Sequence, residues 1–260
     1  MRILSAISAV LLCSLISFSA AAQMKISPPV SLGPYTIPAG TPDYIRQAIN
    51  SPERTDADKA RDSSRKPAEV LKKSGIKPGD HVIEIAGFGQ YYTKMLSAIV
   101  GPKGKVDVYD LPYTDRFAGK PSRDFAAAHA NVDYHQEDYN NSTFPQGVDE
   151  VFCILYYHDM ILQKIDTAKL NAKFLAALKP GGSYVVVDHK AKDGSGTTDT
   201  PKLHRIDVQI IKDQVTAAGF KLAEESNILA HPEDDRTKMV FAPDVRGITD
   251  RALFIFRKPK

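Results

Sequence analysis

Carboxylates close three successive apolar runs of this chain. The stretch Val82-Ile83-Glu84-Ile85-Ala86-Gly87-Phe88-Gly89-Gln90 places Glu84 ahead of a glycine turn. Lys105–Tyr109 leads into Asp110, and Val132–His135 leads into Glu137-Asp138. Gly87 and Gly89 permit positive φ and a close approach of ligand to backbone. Asp110, 26 residues after Glu84, suits ribose hydroxyls, and Asp138 suits an adenine amino group. Each acid alone reads equally as a surface residue. On one edge of a sheet, the three would line a nucleoside-type pocket.

Histidines close two further runs. Val148–Tyr157 continues into His158-Asp159, and Tyr184–Val187 into Asp188-His189. His158 suits a general base, because an imidazole accepts a proton at neutral pH. Its alternative is a strand cap through a backbone hydrogen bond. The segment Lys190–Pro201, with Gly194-Ser195-Gly196, has the composition of a lid, and His204-Arg205-Ile206-Asp207 follows it. Arg205 could clamp a carboxylate or phosphate, and Asp207 reads as a helix N-cap. The catalytic candidates are therefore His158, His189 and His204. With Asp159 and Asp188 they could gather a metal, but no pair has His-x-x-x-His spacing and no thiol pair exists, so no metal is expected. His231–Lys238 reads as a hairpin held by its own ion pairs, with Arg236 or Lys238 facing a pocket as the alternative. Tyr91-Tyr92 is expected to pack on N-terminal helices rather than stack on a ligand.

Elements must carry these residues to one place. Short β-type runs at 81–85, 105–109, 132–135, 148–157 and 184–187 alternate with helical patterns at 91–100, 123–129, 169–178 and 208–218. Near-continuous apolar strands between helices imply a parallel sheet covered on both faces. Lys221–Ser226 and Ala252–Arg257 are two late strands without a long helix between them, which adds an antiparallel edge strand. The fold expected is α/β: a doubly wound, Rossmann-like, seven-stranded, mostly parallel sheet with an N-terminal helical extension. Ligands in such sheets bind beyond the carboxyl ends of the strands, where the strand order switches. Lys179-Pro180-Gly181-Gly182 is expected to end the 169–178 helix.

Composition bounds the remainder. With 260 residues, 43% hydrophobic and 25% charged, the chain is neither disordered nor a disulfide scaffold. Lys and Arg exceed Asp and Glu by only 3, giving no reason to invoke nucleic acid. Met1-Arg2, the apolar Ile3–Phe18 and Ser19-Ala20-Ala21-Ala22 form a signal peptide over 1–22, too short to span a bilayer. Cleavage after Ala22 would leave a periplasmic or secreted protein without a membrane segment. Its one remaining thiol, Cys153, reads as a small buried hydrophobe. Residues 23–75 read as a proline-rich arm (Pro28, Pro29, Pro34, Pro38 and Pro42) with N-terminal helices, and 76–260 as the α/β domain.

The chain resembles the class I S-adenosylmethionine-dependent methyltransferases, and within them a bacterial family of exported predicted methyltransferases. The resemblance runs from Arg61 to the end. It rests on Arg65–Val70, the glycine turn with Tyr91-Tyr92-Thr93, Ala177–Gly182 and Val187-Asp188-His189. Leu203–Asp207, Asp234–Phe241, Arg246-Gly247 and Thr249-Asp250 extend it. It implies S-adenosylmethionine held by Glu84, Gly87, Gly89, Asp110 and Asp138, and a small-molecule acceptor. The family pattern departs at Ala86, Phe88 and Gln90, where glycine is usual. Phe88 could fill part of the cofactor's space, or the displaced glycines could still make the turn. The alternatives are a ligand-binding protein on the same scaffold and a histidine-dependent hydrolase or lyase.

Overall fold

The computed structural model describes residues 29–260, so the signal reading of 1–22 lies outside the described residues. Four short helices come first: α1 (Asp43–Ile49), α2 (Asp56–Lys59), α3 (Asp62–Arg65) and α4 (Pro67–Ser74). Pro67 opens α4, where its missing N–H costs nothing, and Gly75 closes it in the left-handed region at φ 92°. Then follow β1 (His81–Ile85), α5 (Tyr91–Val100), β2 (Lys105–Asp110), α6 (Gly119–Ala128), β3 (Val132–Gln136) and β4 (Val148–Ile154). The second half holds α7 (Tyr157–Leu162), α8 (Thr167–Ala177), β5 (Leu178–His189), α9 (Thr200–Leu203), α10 (Val208–Ala217), β6 (Lys221–Ser226) and β7 (Arg251–Arg257).

The seven strands form one sheet in the order β3-β2-β1-β4-β5-β7-β6. Strands β1 to β5 pair in parallel, whereas β7 is antiparallel to both β5 and β6. The reversed strand therefore lies one place in from the edge. Order switches at β1, whose neighbours are β2 and β4, so the crevice between their carboxyl ends is where a ligand belongs.

Alternation along the strands builds two cores. Ile83, Val151, Cys153, Val186 and Phe254 face α8 and α10, packing on Phe174, Ile211 and Val215. Val82, Val106, Phe152, Val185 and Leu253 face α1, α4 and α5, packing on Ile45, Leu71 and Leu96. Burial on both faces is why these strands read as continuous apolar runs. Cys153 is fully buried in the apolar core and is free among the described residues.

Two boundaries differ from the pattern. The fourth run stops at Ile154: Leu155 takes φ 58°, and the chain enters α7 two residues later. His158 therefore sits in the first turn of a helix rather than on a strand. Lys179–Gly182 belongs to β5, as an excursion from the ladder. Val148 pairs with Leu178 but Glu150 with Ser183, and Gly181 at φ 80° lets the intervening residues loop out. Among the described residues, no helix is long and apolar enough to cross a membrane.

Candidate active site

The loop after β1 keeps left-handed turns where glycine is missing. Ala86 and Gln90 have φ of 60° and 55°, beside Gly89 at 83°. Such a conformation costs a side-chain-bearing residue about 1–2 kcal/mol, so the surrounding structure imposes it. Gly87 is required for space: a Cβ there would lie 2.5 Å from Val108 Cγ1 and 3.0 Å from Glu84 Oε2. Phe88 packs edge-to-face on Phe117 and on Tyr156, each at 5.8 Å between centroids.

A cavity of about 610 Å³ opens along the carboxyl ends of β1, β4 and β5. Glu84, Gly87 and Phe88 form one side, and His158, Asp159 and His189 another. The remaining walls come from both ends of the chain: Arg65 of α3 and Tyr91 of α5, then Phe241 and Arg246 from the segment preceding β7. Thr93 Oγ1 donates to Glu84 Oε2 at 2.6 Å, and burial pushes the Glu84 carboxyl up to about 8.

The three strand-end acids do not converge. Asp110 is wholly buried and is not a wall residue; it accepts from Tyr134 Oη at 3.2 Å. Burial raises its carboxyl to about 6, against the pull of Tyr134 and of the Gly87 and Phe88 amides. Its Oδ1 has no hydrogen-bond partner among the described residues. Asp138 is exposed and caps its own turn, accepting from the Asn140 amide at 3.0 Å and from Asn141 Nδ2 at 2.9 Å. Short polar side chains after a strand commonly close such turns, and Asp138 is spent on this one. Of the five residues expected to hold a nucleoside, Glu84 and Gly87 line the cavity, Gly89 shapes the loop and Asp110 lies behind it.

The histidines do gather. His158 Nδ1 lies 2.7 Å from Asp188 Oδ1, and its backbone N–H donates to Asp188 Oδ2 at 2.8 Å. Asp188 thus fixes the ring through Nδ1 and leaves Nε2 facing Asp159 at the cavity. Burial works against a charge on His158, yet Asp188 and Asp159 outweigh it and hold its pKa above the usual value. His189 packs 5.8 Å from His158 and pairs through Nδ1 with Thr249 Oγ1 at 2.8 Å. Burial, with His158 and Arg251, keeps it neutral. His204 is 5.6 Å from the His158 ring and edges the group without lining the cavity.

Arg205 is no substrate clamp. It is wholly buried and bidentate on Asp234, at 2.8 and 3.1 Å. Asp207 is the N-cap of α10, and its Oδ2 also accepts from the Gly194 and Gly196 amides, tying the 190–201 loop to that helix. The 231–238 segment is held by ion pairs to residues outside it and not by its own: Arg236 binds Asp193 and Asp250, and Asp234 binds Arg205, while later residues of the same connection wall the cavity. Tyr91 packs on the N-terminal helices, donating to Asp62 Oδ1 at 2.5 Å, and lines the cavity as well.

Sequence reasoning missed the basic side of the site. Arg65, Arg246 and Arg251 line the cavity, and among the described residues none makes an ion pair. Burial and neighbouring arginines lower the pKa of each, Arg251 to about 10. No local pattern could have assembled them, since 65 and 246 lie at opposite ends of the described chain.

No family model matches the chain. It is 29% identical over 119 residues to the ubiquinone/menaquinone biosynthesis C-methyltransferase UbiE of Ectopseudomonas mendocina, covering 46% of this chain and 45% of that protein. It thus spans about half the length of the curated relatives it matches. A SAM-dependent methyltransferase from Aquifex aeolicus superposes with a TM-score of 0.56 at 17% identity, over 83% of this chain and 97% of that one. The [4+2]-cyclase SpnF superposes with 0.56 at 14%, over 81% and 85%. At these identities the structural likeness concerns the fold, which hosts more than one chemistry.

Proposed function

We propose that the chain is a class I S-adenosylmethionine-dependent methyltransferase that transfers a methyl group to a small-molecule acceptor in the cavity above β1, β4 and β5. The cavity carries this reading: at about 610 Å³ it is of ligand-binding size, and it opens at the switch in strand order.

The residues fit S-adenosylmethionine, the superfamily's cofactor, on three counts. Gly87 lines the cavity with backbone alone, so a ligand meets its peptide groups directly. Asp110, buried behind the Gly87 turn, has a carboxylate oxygen without a partner among the described residues, and a shift of that turn would let it accept from a hydroxyl of the ligand. Arg65, Arg246 and Arg251 favour a ligand carrying a carboxylate, as the methionyl end does. Bound there, the cofactor supplies an electrophilic methyl group on a sulfonium. Arg65 and Arg246 would hold the anionic end of the cofactor, and Glu84 would line the site beside the Gly87 turn. His158, held by Asp188, takes a proton from the acceptor at Nε2. His189 stays neutral and shapes the floor. Asp138, committed to its turn, has no part in binding. Export remains part of this reading, carried by the apolar Ile3–Phe18 run.

Calorimetry with S-adenosylmethionine and S-adenosylhomocysteine tests the proposal. Both should bind, and Asp110→Ala should weaken both by roughly 10–100-fold, the worth of hydrogen bonds to a charged group. Absence of heat at millimolar ligand sinks the reading. If Phe88→Gly then restores binding, the Phe88 wall closes the site and the parent protein is a ligand-binding relative.

A further inference from the structure

We infer that His158, Asp159 and His204 form a site for one divalent transition-metal ion of the Zn²⁺ class, at the edge of the cavity. Three ligand atoms already converge. His158 Nε2 lies 3.5 Å from Asp159 Oδ1, and His204 Nδ1 lies 3.4 Å from the same oxygen. All three atoms lie within 4.8 Å of one another. Ligands at about 2.05 Å from a tetrahedral zinc stand about 3.4 Å apart, whereas an octahedral site would bring them to about 2.9 Å. The two measured edges match the tetrahedral case.

The hydrogen bonding leaves a cation wanting. Asp188 pairs with Nδ1 of His158 and turns Nε2 toward the Asp159 carboxylate oxygen, so a positive charge, from a proton or a metal ion, belongs between them. His204 Nδ1 is buried and has no hydrogen-bond partner among the described residues. A metal between these atoms satisfies all three. The Asp188–His158 contact is also the outer-sphere carboxylate that metal-bound histidines require for orientation. The cluster of Asp107, Asp133 and His135 differs, because Lys105 Nζ already sits 2.7 Å from Asp133 and supplies its positive charge.

Three protein ligands leave a fourth position open, and His158 and Asp159 both line the cavity. With the ion bound, Nε2 acts through the metal instead of taking the acceptor's proton itself. These ligands are not neighbours along one helix, since His204 arrives from 45 residues beyond Asp159. The inference goes beyond methyl transfer and stands without it.

Untagged protein, dialysed against a chelator, is titrated with Zn²⁺ by calorimetry in the absence of cofactor. Metal content after reloading is counted by plasma mass spectrometry. One Zn²⁺ per chain is expected, held at micromolar or tighter affinity. His204→Ala should weaken it at least about 100-fold, and Asp188→Asn by roughly 10–100-fold. Mg²⁺, which demands oxygen ligands, should not bind at the same concentrations. Circular dichroism checks that the metal-free His204→Ala protein keeps its fold, with His204→Gln as the second variant if it does not. No stoichiometric uptake at about 100 μM Zn²⁺, or equal affinity in parent and both His204 variants, overturns the site and leaves only a proton shared among these groups.

Discussion

Glu150 lies near the start of β4, at the opposite end of the sheet from the cavity. It is 3% exposed, and its Oε2 has no partner among the described residues. Burial, helped by Asp80, pushes its carboxyl up to about 8 from an ordinary value of 4.5. Between those values the folded chain keeps a proton that the unfolded chain releases. Stability from this group therefore declines as pH rises through that window, by up to about 1.4 kcal/mol per pH unit. Glu84 acts in the same direction, since burial raises its carboxyl equally. Glu150→Gln should raise the melting temperature by several degrees near pH 8 and leave it nearly unchanged near pH 5. A thermal-denaturation series across pH measures this; a constant offset at every pH would contradict it.

The connection from β6 to β7 spans residues 227–250, and a fully buried ion pair is one of its anchors to the rest of the fold. Arg205 holds Asp234 in two hydrogen bonds, and also donates to the carbonyls of Lys190, at 3.1 Å, and Lys238, at 2.8 Å. It thereby joins the end of β5 to the segment that walls the cavity. Asp234→Ala would leave a guanidinium buried without its carboxylate, a loss of about 3–5 kcal/mol. Urea denaturation should show that loss, and Arg205→Met in the same background should recover part of it. A cost below about 1 kcal/mol would mean the wall is held by its other contacts.

Across the whole molecule, the cavity is closed by segments remote in sequence. Residues 57–65 and 240–251 meet over the strand ends, with Arg65 and Arg246 both in the walls. Val30 N also donates to the Arg246 carbonyl, at 2.7 Å, binding the extended arm to the same region. A ligand between these parts stabilises the folded state by mass action, about 2.7 kcal/mol at a hundredfold excess over Kd. Saturating S-adenosylhomocysteine should then raise the melting temperature by roughly 5–10 °C. A shift that tracks ligand concentration in differential scanning calorimetry checks it; no shift at saturating ligand would mean that the folded chain does not bind it in preference to the unfolded one.

Strand and helix periods were legible from the residues alone, because a sheet buried on both faces demands continuous apolar runs and the helices demand 3–4 spacing. Glu84 and Gly87 were legible as cavity residues as well, since a strand end and a glycine turn are local features, whereas His158 reached the cavity from α7 and not from a strand end. Tertiary structure decided everything that depends on where a side chain finds its partner. Asp138 went to its own turn, Arg205 to a buried carboxylate, and His158 to Asp188 on a neighbouring strand. The same holds for the arginine wall and for His204 beside Asp159. Local pattern encodes backbone conformation and burial, which depend on nearby residues. A site is a set of distances between residues far apart in the chain, and only the packed core determines those distances.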